Sequence, residues 1–132
     1  MAGLQGLEEQ LSVDGLHVLG FYSNDFGNQG GTPDDIAACT EDHGITFEQF
    51  QIDHVEGVDA QPVFSWLFAQ PNPGPSASVE PTWNFHKYLI GRDGTLVAHW
   101  DSAQYPGDDP NNANDDFDTN AIVIAIKAEL AK

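Results

Sequence analysis

Basic side chains are nearly missing from this chain. Four Lys and Arg stand against 21 Asp and Glu, a formal charge of -17 over 132 residues. Such a surface repels nucleic-acid phosphates and anionic lipid, which argues against polyanion partners: no nucleic acid and no membrane surface. It also repels itself in the compact state, a cost that molar salt relieves by shrinking the Debye length to about 3 Å, so a saline habitat would suit it. Cysteine is as scarce. The lone Cys39 cannot close an intramolecular disulfide, so no disulfide framework holds the fold and thiol usage does not reveal the compartment. Long apolar runs are missing too, and the opening Met1-Ala2-Gly3-Leu4-Gln5 has no basic region, so it reads as neither a signal peptide nor a membrane span. The compartment stays open: cytoplasmic if Met1 is the natural start, secreted if a longer N-terminus carries a targeting segment.

What is present fits one compact core, with 40% hydrophobic and 11% aromatic residues, and a single domain over residues 1–132 is expected. Leu4, Leu7 and Leu11 recur at helical spacing between Glu8, Glu9 and Gln10, predicting a short amphipathic helix ended by Gly15. Leu16 to Phe21 is an almost unbroken apolar run, the pattern of a strand buried on both faces. A loop rich in turn formers follows from Ser23 to Gly31. Thr32-Pro33-Asp34-Asp35 offers an N-cap, a proline in the first turn and carboxylates at the positive helix end, predicting a helix to about His43 with Gly44 closing it.

Ile45 to Ile52 reads as extended and Pro62 to Ala69 as a short helix, before the breaker cluster Pro71-Asn72-Pro73-Gly74-Pro75-Ser76. Phe85 to Ile90 and Thr95 to Trp100, joined by Gly91-Arg92-Asp93-Gly94, predict a β-hairpin. Ala121 to Leu130 reads as a helix with Ile122, Ile126 and Leu130 on one stripe. The order α, β, α, β, short α, hairpin, α predicts a mixed sheet with helices on both sides, a thioredoxin-like α/β sandwich.

Two segments carry chemistry. Trp83-Asn84-Phe85-His86-Lys87-Tyr88-Leu89-Ile90-Gly91-Arg92-Asp93-Gly94 joins two hydrogen-bonding side chains to the start of the hairpin, and Phe26-Gly27-Asn28-Gln29 lies far upstream. Together with Gln61-Pro62-Val63-Phe64-Ser65-Trp66-Leu67, they resemble the glutathione peroxidase family over most of the chain, from Leu4 to about Trp100. Where that family reads Leu-Gly-Phe-Pro-Cys-Asn-Gln-Phe-Gly-x-Gln-Glu, this chain has Leu19 to Gly30, departing at Tyr22, Ser23, Asp25 and Gly30.

The resemblance implies a peroxidase that reduces hydrogen peroxide or organic hydroperoxides with a thiol reductant, without a cofactor or metal. A thiolate or selenolate attacks the O–O bond and becomes a sulfenic or selenenic acid, served by neutral donors that the family places at a glutamine, a tryptophan and an asparagine. By motif these catalytic positions are Gln29, Trp83 and Asn84. Trp83 taken alone would be a core aromatic, and Gln29 alone a surface loop residue.

Cys39 is a poor nucleophile by its position. It falls near the negative end of the predicted helix, and Glu41 and Asp42 add negative potential. The resemblance instead makes it a candidate resolving cysteine, and a small buried apolar residue is the alternative. Family spacing sets the peroxidatic Cys or Sec about seven positions before Met1, near the start of the first helix, where the dipole lowers its pKa.

On that expectation the N-terminal strands, including the central one, are lacking, and the sheet should be split, rearranged, or completed by another copy in a homo-oligomer. A start codon placed too far downstream, a selenocysteine codon read as stop with restart, and a degenerate fragment would each explain it. The reductant is a thioredoxin-like protein or glutathione, although Lys87, Arg92, Lys127 and Lys132 offer little to an anionic thiol. A non-catalytic thioredoxin-like binding or partner-dependent module is the alternative function.

The remaining polar clusters read as structural. His17, His43, His54, His86 and His99 lack metal-site spacing. The acidic stretch Asp108 to Asp118 has the oxygen density of a calcium loop but not its pattern, since counting from Asn112 puts Phe117 at the glycine position and Val123 at the glutamate. It is expected to be a solvated loop.

Overall fold

A computed structural model describes residues 1–114 and 116–132. Asp115, within the acidic stretch, lies outside the described residues. Among the described residues four helices and four strands follow in the order α1 (Ala2–Leu11), β1 (Leu19–Phe21), α2 (Pro33–Asp42), β2 (Glu48–Phe50), α3 (Pro62–Phe68), β3 (Lys87–Ile90), β4 (Leu96–Trp100) and α4 (Ala121–Leu130), with a 3-10 turn at Ser12–Asp14 after α1. Among the described residues the strands form two separate two-stranded ladders, β1 with β2 and β3 with β4, so the sheet is split.

The chain divides into two compact units. The first comprises Met1–Gly20, Asp34–Phe50 and Tyr105–Lys132. Here α1 buries Leu7 and Leu11, and Gly15 stops the helix exit at φ 109°, a conformation that costs glycine little. Gln5, also buried, grips Thr46 twice: its Oε1 accepts from the Thr46 amide at 2.9 Å, and its Nε2 donates to Oγ1 at 2.9 Å.

Two of the expected strands come out short, and backbone bonding gives the reason. The Leu16 amide turns back to the Leu11 carbonyl, and the Val18 amide donates to Glu8 Oε2 at 2.9 Å, so residues 16–18 complete the helix exit instead of a ladder. β1 retains three residues, and Leu19 is 49% exposed, contrary to the expectation of burial on both faces. Likewise Ile45 donates to the Thr40 carbonyl and Thr46 to Gln5, leaving Glu48–Phe50 for β2.

α4 spans the expected residues. Its N-cap Asn120, 1% exposed, accepts from the amides of Ile122 (3.0 Å) and Val123 (3.3 Å) and donates Nδ2 to the carbonyls of Tyr105 (2.9 Å) and Gly107 (3.1 Å). One side chain therefore starts the helix and ties down the loop before it. The buried positions are Ile122, Val123, Ile126 and Glu129, with Leu130 only partly covered. The described residues of the acidic stretch are largely exposed, and it bends through side-chain caps such as Asn111 N to Asp109 Oδ1 at 2.9 Å.

The second unit comprises Phe21–Pro33 and Gln51–Gln104. Its core gathers Phe26, Val55, Ala60, Phe64, Leu67, Val79 and Leu96. Phe64 of α3 sits edge-on to Phe21 at 5.6 Å and to Tyr88 at 6.0 Å, the arrangement that aligns ring edges with ring faces. The hairpin register pairs Lys87 with Trp100, Tyr88 with His99 and Leu89 with Ala98, with a bulge between Leu89 and Ile90. Gly94 at φ 80° closes the turn, where Asp93 Oδ1 accepts from Thr95 N and Oγ1.

Candidate functional site

The site is built on the loop between β1 and α2, inside the second unit. Its entry is fixed by the Asp53 amide, which donates to the Tyr22 carbonyl at 3.1 Å. Ser23 is buried, and its Oγ accepts from the Asp25 amide at 3.1 Å. Phe26 plunges into the core, and the chain then doubles back through left-handed residues, Gly27 at φ 68° and Asn28 at φ 57°. Glycine and asparagine are the residues that tolerate this region.

Gly30 returns so close to Ser23 that a Cβ there would lie 2.3 Å from the Ser23 carbonyl oxygen. Only a residue without a side chain fits. Asn24 Nδ2 bonds the Gly31 carbonyl at 3.2 Å, and the Asn28 amide bonds the Asn24 carbonyl at 3.2 Å, closing the loop upon itself. Gln29 is left exposed on this wound loop.

The second segment meets it there. Asn84 Nδ2 donates to Gln29 Oε1 at 2.7 Å. Next to Asn84, the Trp83 ring packs on Phe26 with centroids 5.9 Å apart and planes inclined by 46°. Two contacts thus join the motif segments: one polar at Gln29, one aromatic at Phe26. The polar one engages Gln29 through its acceptor oxygen, so the donor end of that amide is not consumed by it.

Trp83 is 49% exposed and so is not the core aromatic that its residue type alone suggests. Phe85 is 55% exposed and held at φ 56°, a conformation that costs a non-glycine residue of order 1–3 kcal/mol and collects at functional sites. Cys39 stands on α2, whose last residue is Asp42. It is a free, half-buried thiol, not a fully buried apolar filler. It belongs to the first unit, and Gln29, Trp83 and Asn84 to the second.

Two polar arrangements escaped the sequence reading. In the first, Asp25 spends both carboxylate oxygens: Oδ1 on His54 Nδ1 at 2.8 Å and Oδ2 on the Val55 amide at 2.7 Å. Burial by itself would raise the Asp25 pKa, but the bonds from Val55, His54 and Ser23, with the imidazolium charge, outweigh it and hold the carboxyl below its ordinary value. The bond to Asp25 and the Asp25 charge push His54 up, helped by Asp53 and Asp59. The only sequence signal was the departure of Asp25 from the family motif.

In the second arrangement, His86 and His99 stack at 5.3 Å. His86 Nε2 meets His99 Nδ1 at 3.1 Å, and His99 Nε2 reaches Asn72 Oδ1 at 3.1 Å and Ser76 Oγ at 3.2 Å. Burial first, then His99 and Lys87, lowers His86 to about 4, so it is neutral at pH 7. Burial also brings the Lys87 ammonium down to about 8. The hairpin register pairs His99 with Tyr88, so His86, two positions before Tyr88, is its diagonal neighbour, and that alternation is the signal that could have revealed the pair.

The fold is similar to that of a solved protein: the crystal structure of Trgpx in apo form matches with a TM-score of 0.62 and 29% identity, covering 95% of this chain and 69% of that one. This is the α/β, thioredoxin-like architecture. The glutathione peroxidase family profile matches residues 1–68. Among curated relatives, the glutathione peroxidase-like peroxiredoxin GPX5 of Chlamydomonas reinhardtii is 36% identical over 79% of this chain and 64% of its own length. The glutathione peroxidase homolog BsaA of Halalkalibacterium halodurans is 37% identical over 87% of this chain and 71% of its own. The chain belongs to the glutathione peroxidase family, and it spans less than two thirds of the algal relative's length. No helix among the described residues is long and apolar enough to cross a membrane.

Proposed function

We propose that this chain is the donor-bearing part of a single-domain, thiol-dependent peroxidase that reduces hydrogen peroxide or organic hydroperoxides during oxidative stress. A Cys or Sec encoded before Met1 would serve as nucleophile. The observation that carries the reading is the 2.7 Å bond between Asn84 and Gln29, which brings together two of the three motif donors from positions 55 apart. Trp83 adjoins them through Phe26.

In this reading the chalcogen anion attacks one peroxide oxygen, the O–O bond breaks, and the other oxygen leaves as alkoxide or hydroxide and takes a proton. Sulfur or selenium gives up two electrons and becomes the sulfenic or selenenic acid. The amides of Gln29 and Asn84 and the indole N–H of Trp83 stabilise the anion before attack and the leaving oxygen during it, without offering a competing acid. A thiol then attacks the oxidised chalcogen, releasing water, and a second thiol restores the nucleophile with formation of a disulfide. Cys39 is the candidate for the first of these thiols. The small number of basic side chains favours a dithiol protein over glutathione as reductant. Neutral hydrogen peroxide is indifferent to the acidic surface.

Sequencing the DNA before Met1 and assaying the extended product tests the reading. An in-frame strand pattern followed by a Cys or TGA codon, with hydroperoxide turnover in the extended product, is the expected result. An upstream sequence without such a codon would leave a non-catalytic binding module.

A further inference from the structure

If Gln29 is a donor in the site, as proposed above, something must hold its loop in place, and the contacts around Asp25 do so. We propose that Asp25 is a positioning residue which, latched onto His54 and the Val55 amide, fixes the Gln29-bearing loop and thereby sets the Gln29–Asn84 bond.

The geometry is specific. Asp25 lies four positions before Gln29, and its side chain is only 11% exposed, yet both oxygens are satisfied by the one segment His54–Val55. A carboxylate so covered is tolerable only when paired and hydrogen-bonded. Its own amide is held by Ser23 Oγ, and Ser23 in turn is the residue that Gly30 presses against. The next residue, Phe26, is locked in the core and against Trp83. Asp25 therefore anchors the outgoing arm of the loop, Gly30 its returning arm, and Gln29 lies between them.

The latch is sensitive to pH through His54, which is 62% exposed on its side chain and open to protons from solvent. The charged groups acting on it are Asp25, Asp53 and Asp59, all acidic. The His54 pKa is raised above 6.5, so its contribution is fully present below that value and fades as pH rises through the raised one. The Asp25 pKa is lowered below 3.8, so its contribution is present above that value and fades as pH falls through the lowered one. Both partners are charged in between. Above that window the bond survives only in the tautomer that keeps its proton on Nδ1.

Nuclear magnetic resonance of the isotope-labelled chain tests this without any turnover. The readouts are the nuclear Overhauser contact between the Asn84 side-chain amide and Gln29 Hγ, and the His54 ring titration. In the parent chain the contact weakens as His54 loses its proton. In His54→Gln, which keeps a donor but not the charge, that pH dependence disappears. In Asp25→Asn the His54 titration drops toward the ordinary imidazole range and the contact is weakened throughout.

A contact that stays constant through the His54 titration of the parent chain overturns the latch, whatever the variants do. So does a pH dependence that persists in His54→Gln. Such a result leaves the donor role of Gln29 standing. Conversely, full peroxidase activity in a Gln29 variant removes that role and leaves the latch intact.

Discussion

Asn84 donates its side-chain amide to Gln29 across 2.7 Å, joining a strand-entry segment to a loop 55 positions earlier. The bond is exposed, so its energetic worth is small even though its positional meaning is large. A double-mutant cycle with Gln29→Ala and Asn84→Ala, read by urea unfolding, should give a coupling energy of about 0.5–1 kcal/mol. Strict additivity would mean that the two amides do not interact in solution.

Asn120 carries more weight, because it is 1% exposed and its bonds to Gly107, Ile122 and Val123 are buried. Asn120→Ala removes the cap of α4 and leaves the Tyr105 and Gly107 carbonyls without that donor. The expected cost is about 2–4 kcal/mol, from the cap together with the unsatisfied groups. Asn120→Asp, which can still accept from Ile122 and Val123 but cannot donate, should fall between the two. Denaturant midpoints of the three proteins give the order.

His86 predicts acid sensitivity. Its pKa in the fold is about 4, depressed from 6.5, so the folded state binds fewer protons than the unfolded chain between these values. Stability from this group is complete above pH 6.5 and is lost as pH falls toward about 4. Urea midpoints measured across that interval should decline, and His86→Gln should flatten part of the decline. A His86 ring that titrates near 6.5 by magnetic resonance would contradict the burial assigned to it.

The formal charge of -17 predicts stabilisation by salt. Sodium chloride at molar concentration, with a Debye length of about 3 Å, should raise the urea midpoint by screening repulsion among the carboxylates. A midpoint that falls with salt would show that local ion pairs such as Lys127–Asp118 outweigh that repulsion.

Much of the fold could be read from local pattern alone. The hairpin was legible because Gly91 to Gly94 supplies turn chemistry between two apolar runs, and α4 because Ile122, Ile126 and Leu130 recur at helical spacing, whereas its Asn120 cap emerged only with the structure. The strands at residues 16–21 and 45–52 were overextended. An apolar run does not reveal that Glu8 and Gln5, on a helix, will claim its first amides. The meeting of Gln29 with Asn84 came through family resemblance, since no local pattern links positions so distant. The Asp25–His54 pair stayed hidden for the same reason: it exists only once the loop has wound through Gly27, Asn28 and Gly30.

The central claim is that Gln29, Trp83 and Asn84 act together on a chalcogen nucleophile. The most direct test is the rate constant for hydroperoxide reduction by the gene product extended in frame before Met1, alone and with Gln29→Ala, Trp83→Phe or Asn84→Ala. Each substitution should lower it by about 100-fold or more, the loss typical of removing one preorganised donor to a developing anion. Rates unchanged by all three substitutions, or turnover by the 132-residue chain that vanishes in Cys39→Ser, would contradict the account.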